Sequence, residues 1–99
     1  MKDKPFKFTA EDFWTLVEGQ ERKCALTNRD LTPLTCEVEL RDPNKKDGRF
    51  ELSNFYCVDK DLKYLARHLS ERDIIELCAT VLECRGKEFG YVVKRTNTQ

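Results

Sequence analysis

Histidine is nearly missing from this chain. His68 is the only one, so a reaction that needs an imidazole base, or a His-rich metal site, has a single residue to draw on. Cysteine is present but builds no framework. Cys24, Cys36, Cys57, Cys78 and Cys84 are an odd number with no C-x-x-C pair, which argues against a disulfide scaffold and a zinc ribbon. Reduced thiols in a cytosolic protein are the simplest expectation, with Cys36, Cys57, Cys78 and Cys84 serving as small core residues. No apolar run reaches membrane-spanning length and no signal-peptide-type run opens the sequence, so the expected setting is cytoplasmic with no membrane partner. Neither charge sign is in excess. Lys plus Arg and Asp plus Glu number 18 each, a balance that weighs against a dedicated nucleic-acid binder unless the charges segregate onto faces.

What is there suffices for one compact core. The 99 residues, 39% hydrophobic and 10% aromatic, read as a single domain over 1–99 with frayed ends at about 1–7 and 96–99. Residues 1–7 are a charged lead-in interrupted by Pro5. Thr9-Ala-Glu-Asp12 is an N-cap followed by an acid at the third helical position, with Phe8 and Phe13 placed as a hydrophobic staple. A helix over 10–22 follows, with Phe13, Trp14, Leu16 and Val17 on one core-facing side.

Asn28, Asp30 and Pro33 make residues 23–34 a knuckle with little regular structure. Residues 35–41 alternate Cys36, Val38 and Leu40 against Glu37, Glu39 and Arg41, the pattern of a half-buried strand, and Asp42-Pro43 stops it. A polar turn with Asp47-Gly48 leads into residues 50–58, extended in character, after which Asp59 can start a helix.

Within residues 60–69, Leu62, Leu65, Ala66 and Leu69 stack on one side and Lys60, Lys63 and Arg67 on the other. Ser70-Glu-Arg-Asp73 is a second start signal, so two helices are separated near Ser70, with Leu69 and Ile74 as the second staple. Ile74, Ile75, Leu77, Cys78, Val81 and Leu82 form a broad apolar arc, Gly86 stands where a helix C′ glycine belongs, and residues 89–93 look like a short closing strand. The expected class is α+β: an N-terminal helix, a small antiparallel hairpin, two consecutive helices and a short last strand.

Cys24-Ala-Leu-Thr-Asn-Arg-Asp-Leu31, Val38-Glu-Leu-Arg-Asp-Pro43, the turn Asn44-Lys-Lys-Asp-Gly48 and Leu52-Ser-Asn-Phe-Tyr-Cys-Val58 follow one another in an order that resembles the HNH endonucleases. That family has a knuckle, a strand ending in a catalytic Asp-His pair, a loop, an Asn and a helix with metal ligands. The resemblance covers residues 20–68 and implies an HNH-like loop in the hairpin. Asn54 matches the central Asn. Glu39-Leu40, or Arg41-Asp42 with a shifted register, stands where the family has Asp-His. The structural zinc pairs of many HNH proteins are also incomplete: Cys24 holds a first-ligand position, Thr27 its partner's place, and the second pair would fall near Asp59 and Leu62.

The expected function is therefore a non-catalytic HNH-like module that binds a protein or nucleic-acid partner, with no metal and no cofactor. Its nucleic-acid contacts would come from Lys60, Lys63 and Arg67, flanked by Tyr64 and His68, on the helix that the resemblance brings to the phosphate backbone. Two alternatives stand beside this. One is an atypical metal-dependent nuclease in which Asp42, Asn54 and Asp59 hold a Mg²⁺-like cation. The other is a small structural domain acting by self-association.

Overall fold

The computed structural model describes residues 8–96. The expectations for the lead-in at 1–7 and for 97–99 lie outside the described residues. The class is α+β, as the pattern predicts. α1 (Ala10–Gly19) precedes a hairpin of β1 (Cys36–Leu40) and β2 (Phe55–Asp59), and α2 (Lys63–His68) and α3 (Glu71–Arg85) follow. Single 3₁₀ turns occupy Leu52–Asn54, Lys60–Leu62 and Gly86–Phe89. The strands are antiparallel, with Val38 opposite Cys57 and Glu39 opposite Tyr56.

Local chemistry accounts for most boundaries. The Thr9 hydroxyl accepts the Asp12 N–H at 3.1 Å and the Asp12 carboxylate accepts the Thr9 N–H at 3.0 Å, a complete capping box. α1 ends before the expected residue 22, because Glu21 and Arg22 adopt left-handed backbone (φ 56° and 58°). The Arg22 N–H then closes on the Val17 carbonyl at 2.8 Å. Asp59 caps the turn before α2 by accepting the Asp61 N–H, and Ser70 caps α3 by accepting the Asp73 N–H. Residues 50–54, expected to be extended, form a turn and a 3₁₀ segment, and β2 begins only at Phe55.

Two corrections fall at the C-terminal end. Gly86 is right-handed, with its missing Cβ leaving room for the Tyr91 backbone, and the left-handed cap is Gly90 at φ 91°. No closing strand forms at 89–93. Instead residues 91–96 run back along α3, where Arg95 meets the carboxylates of Glu76 and Glu83.

The core lies on one face of the hairpin. Tyr56 and Val58 of β2 pack with Cys24 of the knuckle, Ala66 of α2 and Ile74 of α3, ringed by Leu26, Leu31, Leu62, Leu65 and Leu69. Val17 and Cys57 are also buried, and α1 packs on β2. The molecule measures 48 × 34 × 23 Å, with a radius of gyration of 15.6 Å against about 13 Å for a compact chain of this length. The excess length is consistent with α3, a 15-residue helix in which only Ile74 is buried, near its start.

Candidate functional site

The seam between β1 and α2 is where the sequence places most of the candidate chemistry. Its builders are Glu37 and Glu39, which alternate with Cys36, Val38 and Leu40 along β1 and therefore share a face with Tyr56 and Val58. That face is covered. α2 packs against β1, and the Glu39 side chain is only 10% exposed. Arg67 donates to the Glu39 carboxylate at 3.3 Å, and Lys63 lies 4.0 Å from that of Glu37. Burial raises the Glu39 pKa and the Arg67 guanidinium opposes the rise without cancelling it. The alternating pattern predicts a solvent-facing row of acids on β1. The structure makes that row an ion-paired layer instead.

The residues proposed for nucleic acid thus divide. Lys63 and Arg67 are engaged by β1 carboxylates, although Arg67 is itself exposed; Lys60, Tyr64 and His68 are exposed as well, the last two with stacked rings 6.2 Å apart. Around them the acids are also answered from within: Arg29 reaches the carboxylates of Asp61 at 3.0 Å and Asp59 at 3.6 Å. Asp59 itself is buried and holds the Asp61 N–H at 2.9 Å.

The residues weighed for a nuclease do not meet. Asp42 follows the end of β1 and Asn54 precedes β2, so these two are neighbours. Asp59 pairs with Cys36 at the opposite end of the hairpin, five extended residues or roughly 17 Å from Asn54. Among the described residues, no three His, Cys, Asp or Glu side chains gather to hold a metal ion.

Asn54 has a different task. Its amide nitrogen donates to the carbonyls of Asp42 (3.1 Å) and Arg49 (2.8 Å), while its oxygen accepts the Asp42 N–H (3.2 Å). Buried at 4% exposure, it pins both sides of the loop between the strands. The Asp42 carboxylate turns to the Asn44 N–H at 2.9 Å, which shapes the same loop.

The knuckle closes the other end of the hairpin. A lone bridge pairs Lys23 with Asp30, and left-handed Asn28 (φ 64°) turns the chain so that Cys24 N–H bonds the Arg29 carbonyl at 2.7 Å. The Cys24 sulfur accepts the N–H groups of Leu26 and Asp59 at 3.4 and 3.2 Å. Burial pushes this thiol up, but bonds from the Thr27 hydroxyl and the Asp59, Leu26 and Thr27 backbone together bring it below the ordinary value. All five cysteines are free. Cys57 fits the expected core role, but Cys78 and Cys84 are exposed on α3.

Several residues that organise the molecule escaped the sequence reading. Gln20 donates to the carbonyls of Lys23 and Cys57 and accepts the Cys57 N–H, so a side-chain amide pairs with the outer edge of β2 as a strand would. Arg41 bonds Glu71 at 2.9 Å, lies 4.9 Å from the Tyr56 ring centre, and gives its carbonyl to the Glu71 N–H. That clamp fixes the start of α3. A polar residue in the half-turn after a helix, as Gln20 is, was the only available signal for the first; the second had none.

Beyond its first turn α3 presents apolar side chains to solvent. Leu77 is 41% exposed and Val81 53%, with Cys78 and Cys84 beside them, and Phe89 continues the surface past the helix end. The predicted apolar arc exists, but the body covers only its N-terminal end. Trp14 of α1 is likewise exposed, contrary to expectation. With Phe13, Val17 and Leu31 it lines a recess of about 230 Å³, and the Arg22 guanidinium stands 5.9 Å from its ring centre. No described helix is long and apolar enough to cross a membrane. The sequence matches no protein-family model and no curated protein, and the fold matches no solved structure.

Proposed function

We propose that this chain is a non-catalytic interaction module on an HNH-like framework, and that it binds a protein partner through the uncovered C-terminal half of the apolar face of α3. The observation that carries the reading is the run Leu77, Cys78 and Val81, apolar and exposed on a helix whose start is clamped to the body. A rigidly rooted helix with an uncovered apolar face suits helix-to-surface recognition, in which anchors three and four residues apart seat in a partner. The nucleic-acid alternative is weaker on this reading. Two of its three cations already answer Glu37 and Glu39, so phosphate would have to displace those carboxylates.

Two measurements test it. Titration of labelled duplex DNA and single-stranded RNA should give negligible binding by the native chain, and Glu37→Gln with Glu39→Gln should create a salt-dependent affinity by releasing Lys63 and Arg67. A photoreactive residue at position 77 should capture a protein in competition with excess native chain but not with Val81→Asp chain. A native affinity for nucleic acid that falls steeply with salt and vanishes in Lys63→Ala/Arg67→Ala, with no protein captured at 77, overturns the proposal.

A further inference from the structure

The hairpin has two outer edges, and only one of them is closed. Lys60 N–H bonds the Thr35 carbonyl at 2.8 Å and Arg41 N–H the Asn54 carbonyl at 2.6 Å. In this register the backbone groups of Glu37 and Glu39 turn toward β2, and those of Cys36, Val38 and Leu40 point outward. Cys57 and Asp59 point outward from β2 in the same way. There the Cys57 N–H and carbonyl meet Gln20 and Ala25, and the Asp59 N–H meets the Cys24 sulfur. On the β1 side the Cys36 N–H turns back to the Thr32 carbonyl at 3.0 Å, and the cover stops. Among the described residues, nothing bonds the Cys36 carbonyl or the N–H and carbonyl groups of Val38 and Leu40.

We propose that this edge receives an extended peptide segment of a protein partner as a third strand, with a large apolar side chain of that segment seated beside Trp14. The site is separate from the exposed end of α3 and does not rest on that reading. The chemistry of the edge selects the occupant. Donors and acceptors alternate at the two-residue spacing of a strand, which an extended backbone matches. A helix has already used its own backbone groups, and a phosphate chain supplies acceptors alone. An antiparallel segment centred opposite Val38 donates to the carbonyls of Cys36, Val38 and Leu40 and accepts the N–H groups of Val38 and Leu40.

The recess of about 230 Å³ determines the side chain. Cys36 lines it, together with Pro33 just before β1 and Trp14, which is 52% exposed. A residue paired opposite Cys36 shares its face and holds its Cβ about 5 Å away, at this recess. The mostly apolar walls suit Leu, Met, Phe or Trp there. Neighbouring residues of the segment turn to the other face, where Lys63 and Arg67 already answer Glu37 and Glu39, so uncharged polar side chains suit them. The partner segment therefore alternates apolar with neutral polar residues. Nothing on β1 blunts the edge against it: Pro43 lies beyond the strand, and the two acids are drawn to the α2 side. A strand as short as β1 offers few backbone bonds, so the recess has to supply part of the affinity.

Amide exchange read by NMR tests the edge in the native chain. In dilute protein, Val38 and Leu40 should exchange fast while Glu37 and Glu39 exchange slowly. The probes are labelled peptides of alternating Thr and X, with X set to Leu, Met, Phe or Trp. At least one should bind and slow exchange at Val38 and Leu40 by about tenfold or more. Methylating the peptide nitrogens that face the β1 carbonyls should weaken binding about tenfold, and methylating those that face away should not. Trp14→Ala should weaken binding by a similar factor. Val38→Pro removes an outward donor and no ladder bond, so it should block binding and keep cooperative unfolding. If that variant fails to fold, the methylated peptides still decide, because they are read on the native chain.

Slow exchange at Val38 and Leu40 in dilute protein without peptide would mean that the edge is closed, and overturns the proposal. Failure of every peptide to bind at millimolar concentration overturns it as well. Binding that ignores methylation but is lost in Trp14→Ala leaves the recess as a site and overturns strand addition. Protection that grows with protein concentration alone assigns the edge to a second copy and overturns the partner segment.

Discussion

The hairpin body and α3 solve the problem of burying apolar surface in opposite ways. In the body, β2 is held on both sides. Its inner edge pairs with β1, its outer edge is met by Gln20, Ala25 and the Cys24 sulfur, and Tyr56, Cys57 and Val58 are fully buried. Even the acids of β1 are drawn in, because Lys63 and Arg67 can answer them. α3 has a similar density of apolar residues but only Ile74 is buried, while salt bridges to Arg95 secure its other side. The difference teaches that apolar content in a small domain is not the same as core. In the body it stabilises the fold; on α3 it is left for something else.

The sharpest way to break that contrast is to place the same charge in each region. Val58→Asp puts a carboxylate into a fully buried site with no partner, which costs several kcal/mol against a typical total of about 5–15. No cooperative unfolding transition should remain. Val81→Asp, at an exposed position, should keep a cooperative transition with a midpoint close to that of the native chain. Circular dichroism melts of the two variants decide it, and similar collapse in both would mean that α3 belongs to the core.

Next in size is Asn54→Ala. The substitution strands the Asp42 N–H and the carbonyls of Asp42 and Arg49 inside the loop junction. An unsatisfied buried group costs about 1–3 kcal/mol, so a loss of about 3 kcal/mol is expected from urea unfolding. Asn54→Asp should fare no better, since it keeps the acceptor but aims a charge at two carbonyls. A loss below about half a kcal/mol, the range of surface substitutions, would show that water replaces the amide and the loop is not pinned there.

The features legible in the sequence were those with local causes. Thr9, Asp59 and Ser70 announce their helices because a cap is written within four residues, and the stop at Asp42-Pro43 is equally local. Periodicity also found the apolar side of α2 and the arc on α3. It could not tell that β1's acids are covered, because Lys63 and Arg67 lie 26 and 28 residues away in sequence and their pairing depends on how α2 crosses the strand. The same limit explains α3. A period shows that a face is apolar, but not whether the chain itself supplies the cover. Gly86 illustrates a subtler ambiguity, since a glycine after a helix can serve dihedral freedom or close approach, and here Tyr91 requires the second.

The smallest expected effect concerns one oxygen. The Tyr56 hydroxyl is buried without a hydrogen-bond partner, while its ring packs under Arg41 in the middle of the core. Tyr56→Phe keeps the ring and removes the unpaired group, so stability at pH 7 should hold or rise by up to about 1 kcal/mol. Alkaline titration separates this from a generic packing change. Burial pushes Tyr56 from 10.0 up to about 12 and Cys57 from 9.0 up to about 12. Both groups therefore hold their protons longer when folded than when unfolded. Their contribution is fully present below pH 9 for Cys57 and below pH 10 for Tyr56, and is lost as pH climbs toward 12. Urea midpoints of the native protein should decline from pH 9 and more steeply above pH 10. In Tyr56→Phe the first decline should persist, because Cys57 remains, and the steepening above pH 10 should vanish. Parallel curves for the two proteins through pH 11 would mean that the hydroxyl reaches water, and that the body's core is less closed at Tyr56 than its burial indicates.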